Sequence, residues 1–278
     1  MREILLKKIN NNMNEPEFFL EKKHQQQTIF LHLIQISIKV HGIYIPSSAL
    51  QNRLHDFAFN LVYYTHDETY EVQLIGSATG IEFGGRRILI STQHQIKDCR
   101  PSDIGTLRVT KNSYLSSSGI AFIKASKNSS SKDEFDLCAF DYTPASKEDI
   151  ALARKFFLLD EDSVLLDGEK PIAFLAYGYP FDHQKYNVCD RNHVGLVSKS
   201  ITCRPIEGFS DEMLGSCRTL SNMDFDPNGL SGGPIFATIL VGDEIVLKFA
   251  GIINRAGNGF VHFIKAKAVA RLLTLGFD

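Results

Sequence analysis

The chain has 278 residues, with 30 Lys and Arg against 32 Asp and Glu and a formal net charge of −2. Hydrophobic residues make up 44% and charged residues 22%, which excludes a collagen-like, coiled-coil or globally disordered protein. The balanced charge also excludes a broadly basic surface, so nucleic acid is not an expected partner.

The start, MREILLKKINNNMNEPEFF, is basic but lacks an apolar stretch of signal-peptide length and a small-residue cleavage site. The apolar run Thr28 to Val40 carries His32, Gln35 and Lys39 and is too short to span a bilayer, so no membrane partner is expected. Residues 1–50 therefore read as an N-terminal extension, closed by the turn signal IPSS. Cys99, Cys138, Cys189, Cys203 and Cys217 are scattered and odd in number, which points to a reducing compartment and a cytoplasmic location. Export without a cleaved signal is the alternative.

From about Leu54 the chain breaks into short β-branched and aromatic runs. They are FAFNLVYY, YEVQLIGSATGIEF, RRILIST, GIAFIKA, DLCAFDY, PIAFLAYGYP, HVGLVSKSI, PIFATILV, EIVLKFAGII and GFVHFI. Their regular spacing, with Gly, Asp and Asn between, predicts an all-β sandwich or barrel. Two helices are expected against this background. One runs from Ser146 to Leu159, opened by the capping-box pattern Ser146…Asp149, and the other from Lys265 to Leu275. SKNSSSKD, Ser126 to Asp133, reads as a solvated loop.

The segment Asn228 to Pro234, NGLSGGP, has little to do with packing. Its glycines permit backbone angles that a β-carbon forbids and allow close approach of another chain. A nucleophile needs such a tight exposed turn, with backbone N–H groups facing the oxygen that becomes negative. Ser231 is the first candidate. A serine hydroxyl needs a base within hydrogen-bond reach, and the base needs an orienting group. His94 ends the hydrophobic strand RRILISTQH, where a side chain leaves the sheet for a cleft. Asp136 opens the apolar run DLCAFDY, where a carboxylate is costly unless partnered. Read singly, His94 is also an ordinary loop histidine and Asp136 an ordinary turn aspartate.

The order His94, Asp136, Ser231 within a β-rich chain resembles the trypsin-like (chymotrypsin-fold) serine peptidases. The matching pieces are GSATGIEFGGRRILISTQH, FDLCAF, GLSGGPIF and FAGIIN. YGYP, HVGLVS and GNGFVHF are similar to the bacterial, high-temperature-requirement branch. The match covers about residues 56 to 275. The resemblance implies an all-β fold of two six-stranded antiparallel β-barrels, over roughly 51–145 and 160–264, with a C-terminal helix over 265–275 and an N-terminal extension. It implies a serine endopeptidase with a polypeptide substrate and no cofactor or metal. Ser231 would be the nucleophile, His94 the base and Asp136 its orienting acid. The N–H groups of Gly229 and Ser231 would form the oxyanion hole, and Asn254 would support the aspartate and begin the substrate-pairing strand.

One departure stands out. Leu230 sits where zymogen-type members carry an aspartate that captures a freed N-terminus, so that activation route is not expected. Residues 1–50 are instead expected to pack on the barrels, cover the cleft or recruit an activating protein partner. Substrate preference stays open. Asp226 would favour a basic side chain but also reads as a turn residue, while Arg255 or His262 would favour an acidic or amide one, with Ala256 beside them. Cys189, His193, Cys203 and Cys217 lack the close paired spacing of common zinc motifs and read as reduced thiols. The order of an α/β-hydrolase triad, serine before acid before histidine, does not fit this chain. A catalytically silent binding or scaffold protein of the same fold is the alternative reading.

Overall fold

The computed structural model describes residues 37–108, 113–122, 136–187, 193–206 and 211–277. The first 36 residues, the predicted loop from Ser126 to Asp133 and Cys189 lie outside them. The chain opens with a hairpin, β1 (Ser37–Val40) and β2 (Ile43–Pro46), followed directly by helix α1 (Ser47–His55). Leu50 and Leu54, one helical turn apart, are the residues α1 buries. IPSS thus leads into a helix, and the later part of the expected extension is built into the fold.

The next unit comprises β3 (Ala58–Tyr64), β4 (Val72–Phe83), β5 (Arg86–Ser91), β6 (Ile104–Arg108), β7 (Ser113–Ser116), β8 (Gly119–Phe122) and β9 (Cys138–Asp141). Their order is β7-β6-β3-β4-β5-β9-β8, an antiparallel sheet whose two ends do not pair among the described residues. It is an open half-barrel where a closed six-stranded barrel was expected.

Two short helices follow, α2 (Thr143–Glu148) and α3 (Ile150–Ala153). They replace the single helix predicted over Ser146 to Leu159. Ser146 is buried inside α2, and Asp149 caps α3, its carboxylate accepting from the N–H groups of Ala151 and Leu152. The remainder becomes β10 (Phe157–Leu158), parallel to β4, because Phe157 is drawn into the core.

The second unit contains β11 (Pro171–Gly178), a hairpin of β12 (Lys185–Asn187) and β13 (His193–Gly195), then β14 (Lys199–Pro205), β15 (Leu214–Thr219), β16 (Pro234–Val241), β17 (Glu244–Gly257) and β18 (Phe260–Lys265). HVGLVSKSI is therefore two strands, not one. β16, β11, β14, β15, β18 and β17 pair in that order, and β16–β17 pairing closes them into a six-stranded antiparallel barrel. β1 adds to this barrel sheet, parallel to β17, with Lys39 opposite Val246. Helix α4 (Ala266–Phe277) ends the described chain and buries Ala266, Ala268, Val269, Leu272 and Leu273, as the helical spacing predicted.

The two units share one core. Phe57 meets Phe157 edge-on at 5.3 Å between ring centroids, Phe157 meets Phe236 at 5.2 Å, and Tyr177, Phe249, Leu54 and Ile81 surround them. Each unit also has its own apolar centre, around Leu61, Leu89 and Phe140 in the half-barrel and Ile235, Ile253 and Val261 in the closed barrel. The architecture is all-β, a closed barrel beside a half-barrel with a C-terminal helix, as the resemblance to trypsin-like peptidases implied. Among the described residues no helix is long and apolar enough to cross a membrane.

Candidate active site

β5 and β9 are neighbours in the half-barrel, with Ser91 opposite Cys138. The residues leaving β5 and those entering β9 therefore emerge at the same sheet end. After Ser91 the chain makes a one-turn 3₁₀ helix, Gln93–Gln95, which carries His94. The Gln93 N–H donates to Asp136 O at 3.3 Å, and the Gln93 side-chain amide donates to Leu137 O at 2.7 Å. These bonds set His94 against Asp136. One carboxylate oxygen accepts the His94 backbone N–H at 2.9 Å, and the other lies 2.5 Å from Nδ1. A carboxylate only accepts, so Nδ1 is the donor in this bond, which in a neutral imidazole leaves the lone pair on Nε2. The Asp136 side chain is 15% exposed and that of His94 47%, so the acid is shielded while the imidazole reaches solvent.

The serine lies in the turn from Asn228 to Gly233, and every carbonyl of that turn is tied. Asn228 O accepts from Phe181 N at 2.8 Å, Leu230 O from Gly233 N at 3.0 Å, and Gly233 O from Ile253 N at 2.8 Å. The half-barrel holds the other three. Gly229 O accepts from Ser77 Oγ at 2.7 Å, Gly232 O from Thr79 Oγ1 at 2.8 Å, and Ser231 O from both Ser77 N at 3.1 Å and Gln95 Nε2 at 2.5 Å. The N–H groups are occupied too, with two exceptions. Asn228 N donates to Asp226 Oδ1, Leu230 N to Pro227 O at 3.1 Å, and Gly232 N to Ile253 O at 2.7 Å. Among the described residues, only the N–H groups of Gly229 and Ser231 in this turn donate to nothing.

Those two are the pair expected to form an oxyanion hole. Each belongs to a trans peptide whose carbonyl is held on the opposite side, by Phe181 N and Gly233 N respectively, so both N–H groups are fixed in direction before any ligand arrives. Gly229 has φ +97°, and a β-carbon there would fall 2.6 Å from Tyr179 O. At Gly232, with φ +83°, it would fall 2.1 Å from Ser77 O. The glycines around the serine are required by both angle and space.

The Ser231 hydroxyl donates to Asn254 O at 2.7 Å, and among the described residues no hydrogen bond joins it to His94. Asn254 itself is buried, and its carbonyl is the acceptor that holds the serine side chain.

The remaining candidates are less tightly gathered. Asp226 is exposed and spends its carboxylate on Asn228, accepting the backbone N–H at 3.0 Å and the side-chain amide at 3.0 Å. It is the turn aspartate that the sequence allowed, with its own N–H donating to Asp182. Arg255 is exposed, and Ala256 is half-buried and, like Met223 and Phe225, packs against the closed-barrel core. His262 lies opposite Arg255 on β18, with Nδ1 3.1 Å from Ser216 Oγ. Leu230 is buried in the closed-barrel core and offers no charge to capture a freed N-terminus.

Cys203 and Cys217 lie in adjacent strands β14 and β15, and both are buried. Burial pushes the Cys138 thiol up, and the neighbouring Cys203 sulfur together with burial does the same to Cys217. Neither Cys138 nor Cys217 is therefore a nucleophile near neutral pH.

Sequence reasoning missed Ser77, Thr79, Gln95 and Phe181, which hold the turn. For Ser77 and Thr79 the signal was faint: small polar residues inside the strand GSATG, which turn out to be fully buried and therefore had to find partners; Gln95 and Phe181 carried none.

No family model and no curated protein matches the chain. Among solved structures, the chain is similar to the active form of the Rv3671c protease from M. tuberculosis, with 13% identity, 82% of this chain and 86% of that one covered, and a TM-score of 0.43.

Proposed function

We propose that the protein is a serine endopeptidase acting through His94, Asp136 and Ser231. The observation that supports this reading is the turn in which only the Gly229 and Ser231 N–H groups are unpaired among the described residues, tied through Gln95, the residue after His94, to the segment that carries the His94–Asp136 pair. On this reading Ser231 Oγ leaves Asn254 O by a rotation of roughly 120° between staggered rotamers and presents its proton to His94 Nε2. The oxygen attacks a peptide carbonyl, His94 takes the proton, and Asp136 stabilises the imidazolium. The carbonyl oxygen, now negative, is met by the two N–H groups. His94 then returns the proton to the leaving amine, and water repeats the sequence on the acyl-enzyme. Removing one such donor in comparable sites costs about 10²–10³ in rate.

A second reading, a protein of this fold that binds without cutting, is favoured by the Ser231–Asn254 hydrogen bond, which holds the hydroxyl away from the base. A fluorophosphonate separates the two. The purified chain should gain one adduct by intact mass, and Ser231→Ala none. Equal absence from both, with and without a cell lysate as a source of activator, would sink the enzyme reading.

A further inference from the structure

We infer that Gln95 is a positioning residue for the nucleophile turn, an inference that rests on the reading of Ser231 as the nucleophile. Gln95 follows His94 directly in the 3₁₀ turn, yet its side chain points across to the other unit and donates from Nε2 to Ser231 O at 2.5 Å. The other end of the same amide is fixed as well, because Oε1 lies 2.7 Å from Ser91 Oγ. Ser91 Oγ is also 2.7 Å from Ser77 O, so its single proton serves one of these two acceptors at a time, and the Ser77 N–H is the second donor to Ser231 O. Ser77 and Ser91 are both fully buried. The result is a run of polar contacts through Gln95, Ser91, Ser77 and Ser231, the first and last half-buried and the two between fully buried, that joins the segment carrying the base to the segment carrying the nucleophile.

The sequence makes room for this arrangement. Gly76 lies beside a β-bulge, where Leu61 opposes Gly76 and Val62 opposes Leu74. A β-carbon at Gly76 would sit 2.1 Å from Gln95 Nε2, so the amide occupies the space that a side chain at 76 would fill. The same peptide that Gln95 holds, Ser231–Gly232, sends its N–H to Ile253 O at 2.7 Å. Gln95 thus fixes the plane of the peptide immediately after the nucleophile, while the Leu230–Ser231 peptide before it supplies an oxyanion donor. A shift at Ser231 O rotates Ser231 as a whole, its N–H and its Oγ together. Gln95 does not reach the reacting atoms. It sets where they stand relative to His94.

Three variants and two readouts test this. Gln95→Met keeps length and bulk but cannot donate, Gln95→Ala removes both, and Gln95→Glu donates only when protonated. The first readout needs no chemistry: hydrogen exchange at the Gly232 and Gly233 amides should quicken at least tenfold in Gln95→Met, with amides in the β5 and β16 centres unchanged. The second is fluorophosphonate labelling resolved into kinact and KI. Gln95→Met should lose about 10–100-fold in kinact with KI within twofold, and Gln95→Ala at least as much. The rate of Gln95→Glu relative to wild type should rise between pH 7.5 and 5, as its carboxyl gains the proton that it donates to Ser231 O. Unchanged exchange and unchanged kinact in Gln95→Met would overturn the positioning role. So would a pH-independent ratio for Gln95→Glu. A wild type that shows the exchange difference but never labels would overturn the nucleophile reading instead, leaving Gln95 as an anchor of the turn.

Discussion

Replacing Asp136 by asparagine tests the histidine–acid pair without changing its shape. The carboxylate now accepts twice from His94, from the backbone N–H at 2.9 Å and from Nδ1 at 2.5 Å. An asparagine has one oxygen for these two donors. If its NH₂ group faced the backbone N–H, two donors would meet and a backbone group would go unpaired, at a cost of about 1–3 kcal/mol. The cheaper arrangement gives the oxygen to the backbone and turns the NH₂ toward Nδ1, which must then be the acceptor. The ring proton moves to Nε2, and a protonated Nε2 cannot take a proton from Ser231. The imidazolium also loses its neighbouring negative charge. In serine–histidine–aspartate triads this change costs about 10⁴ in rate, or roughly 5.4 kcal/mol at 1.36 kcal/mol per tenfold, and the proposed function predicts a loss of that order here. The assay is the second-order rate of fluorophosphonate labelling at pH 7.5, with circular dichroism melts as the control for folding. A folded Asp136→Asn protein that labels within tenfold of wild type would refute the assignment of Asp136 as the orienting acid.

Two further outcomes follow from the fold. Leu54→Ala removes a fully buried side chain on α1 and should cost about 2–5 kcal/mol in urea unfolding; a loss below 0.5 kcal/mol would mean that α1 is a dispensable appendage. Burial lowers the pKa of His55, whose ring meets Tyr177 edge-on and lies 3.0 Å from Ser198 Oγ. The unfolded chain therefore binds the proton more readily, so this contribution is complete above about pH 6.5 and is lost as pH falls from there through the folded value. His55→Gln should flatten the decline of the urea midpoint between pH 6.5 and 5, and an unchanged slope would show that His55 takes up its proton equally in the folded and unfolded states.

The candidate site was more legible than the frame around it. NGLSGGP announces itself because three glycines around a serine have few uses, and β5 and β9 each give away a member of the pair by ending or starting at an apolar run. Elsewhere, local pattern was overruled by packing. The stretch from Ser146 to Leu159 has helical spacing, but Asp149 takes an extended backbone with φ −132° and ψ 97°, and its side chain starts a new helix. Phe157 then finds more burial as a strand residue beside Ile81 than any helix could give it. Helix α1 was hidden by Pro46 and two serines, which read as a turn until Leu50 and Leu54 are seen facing the core. Ser77, Ser91 and Gln95 are ordinary residues in sequence; the pairing of β4 with β5 brings them together, and only the packing of the second unit on the first sets Ser231 O against them.

The strand β1 gives the molecule an order of assembly. It pairs with β17 in the closed barrel, and Lys39 forms an ion pair with Glu244, 205 positions later in the chain. Between these partners the chain builds the entire half-barrel, so the sheet of the second unit contains a strand made before the first unit. Closing so long a loop adds little to the equilibrium cost but delays folding, because that contact cannot form until its distant partner is made. During synthesis the β1–β2 hairpin must wait for β17 while about two hundred residues emerge. A chain cut between the two units would leave the second fragment without the edge strand that the first fragment carries, so recovery of the native sheet would require both pieces in the same tube.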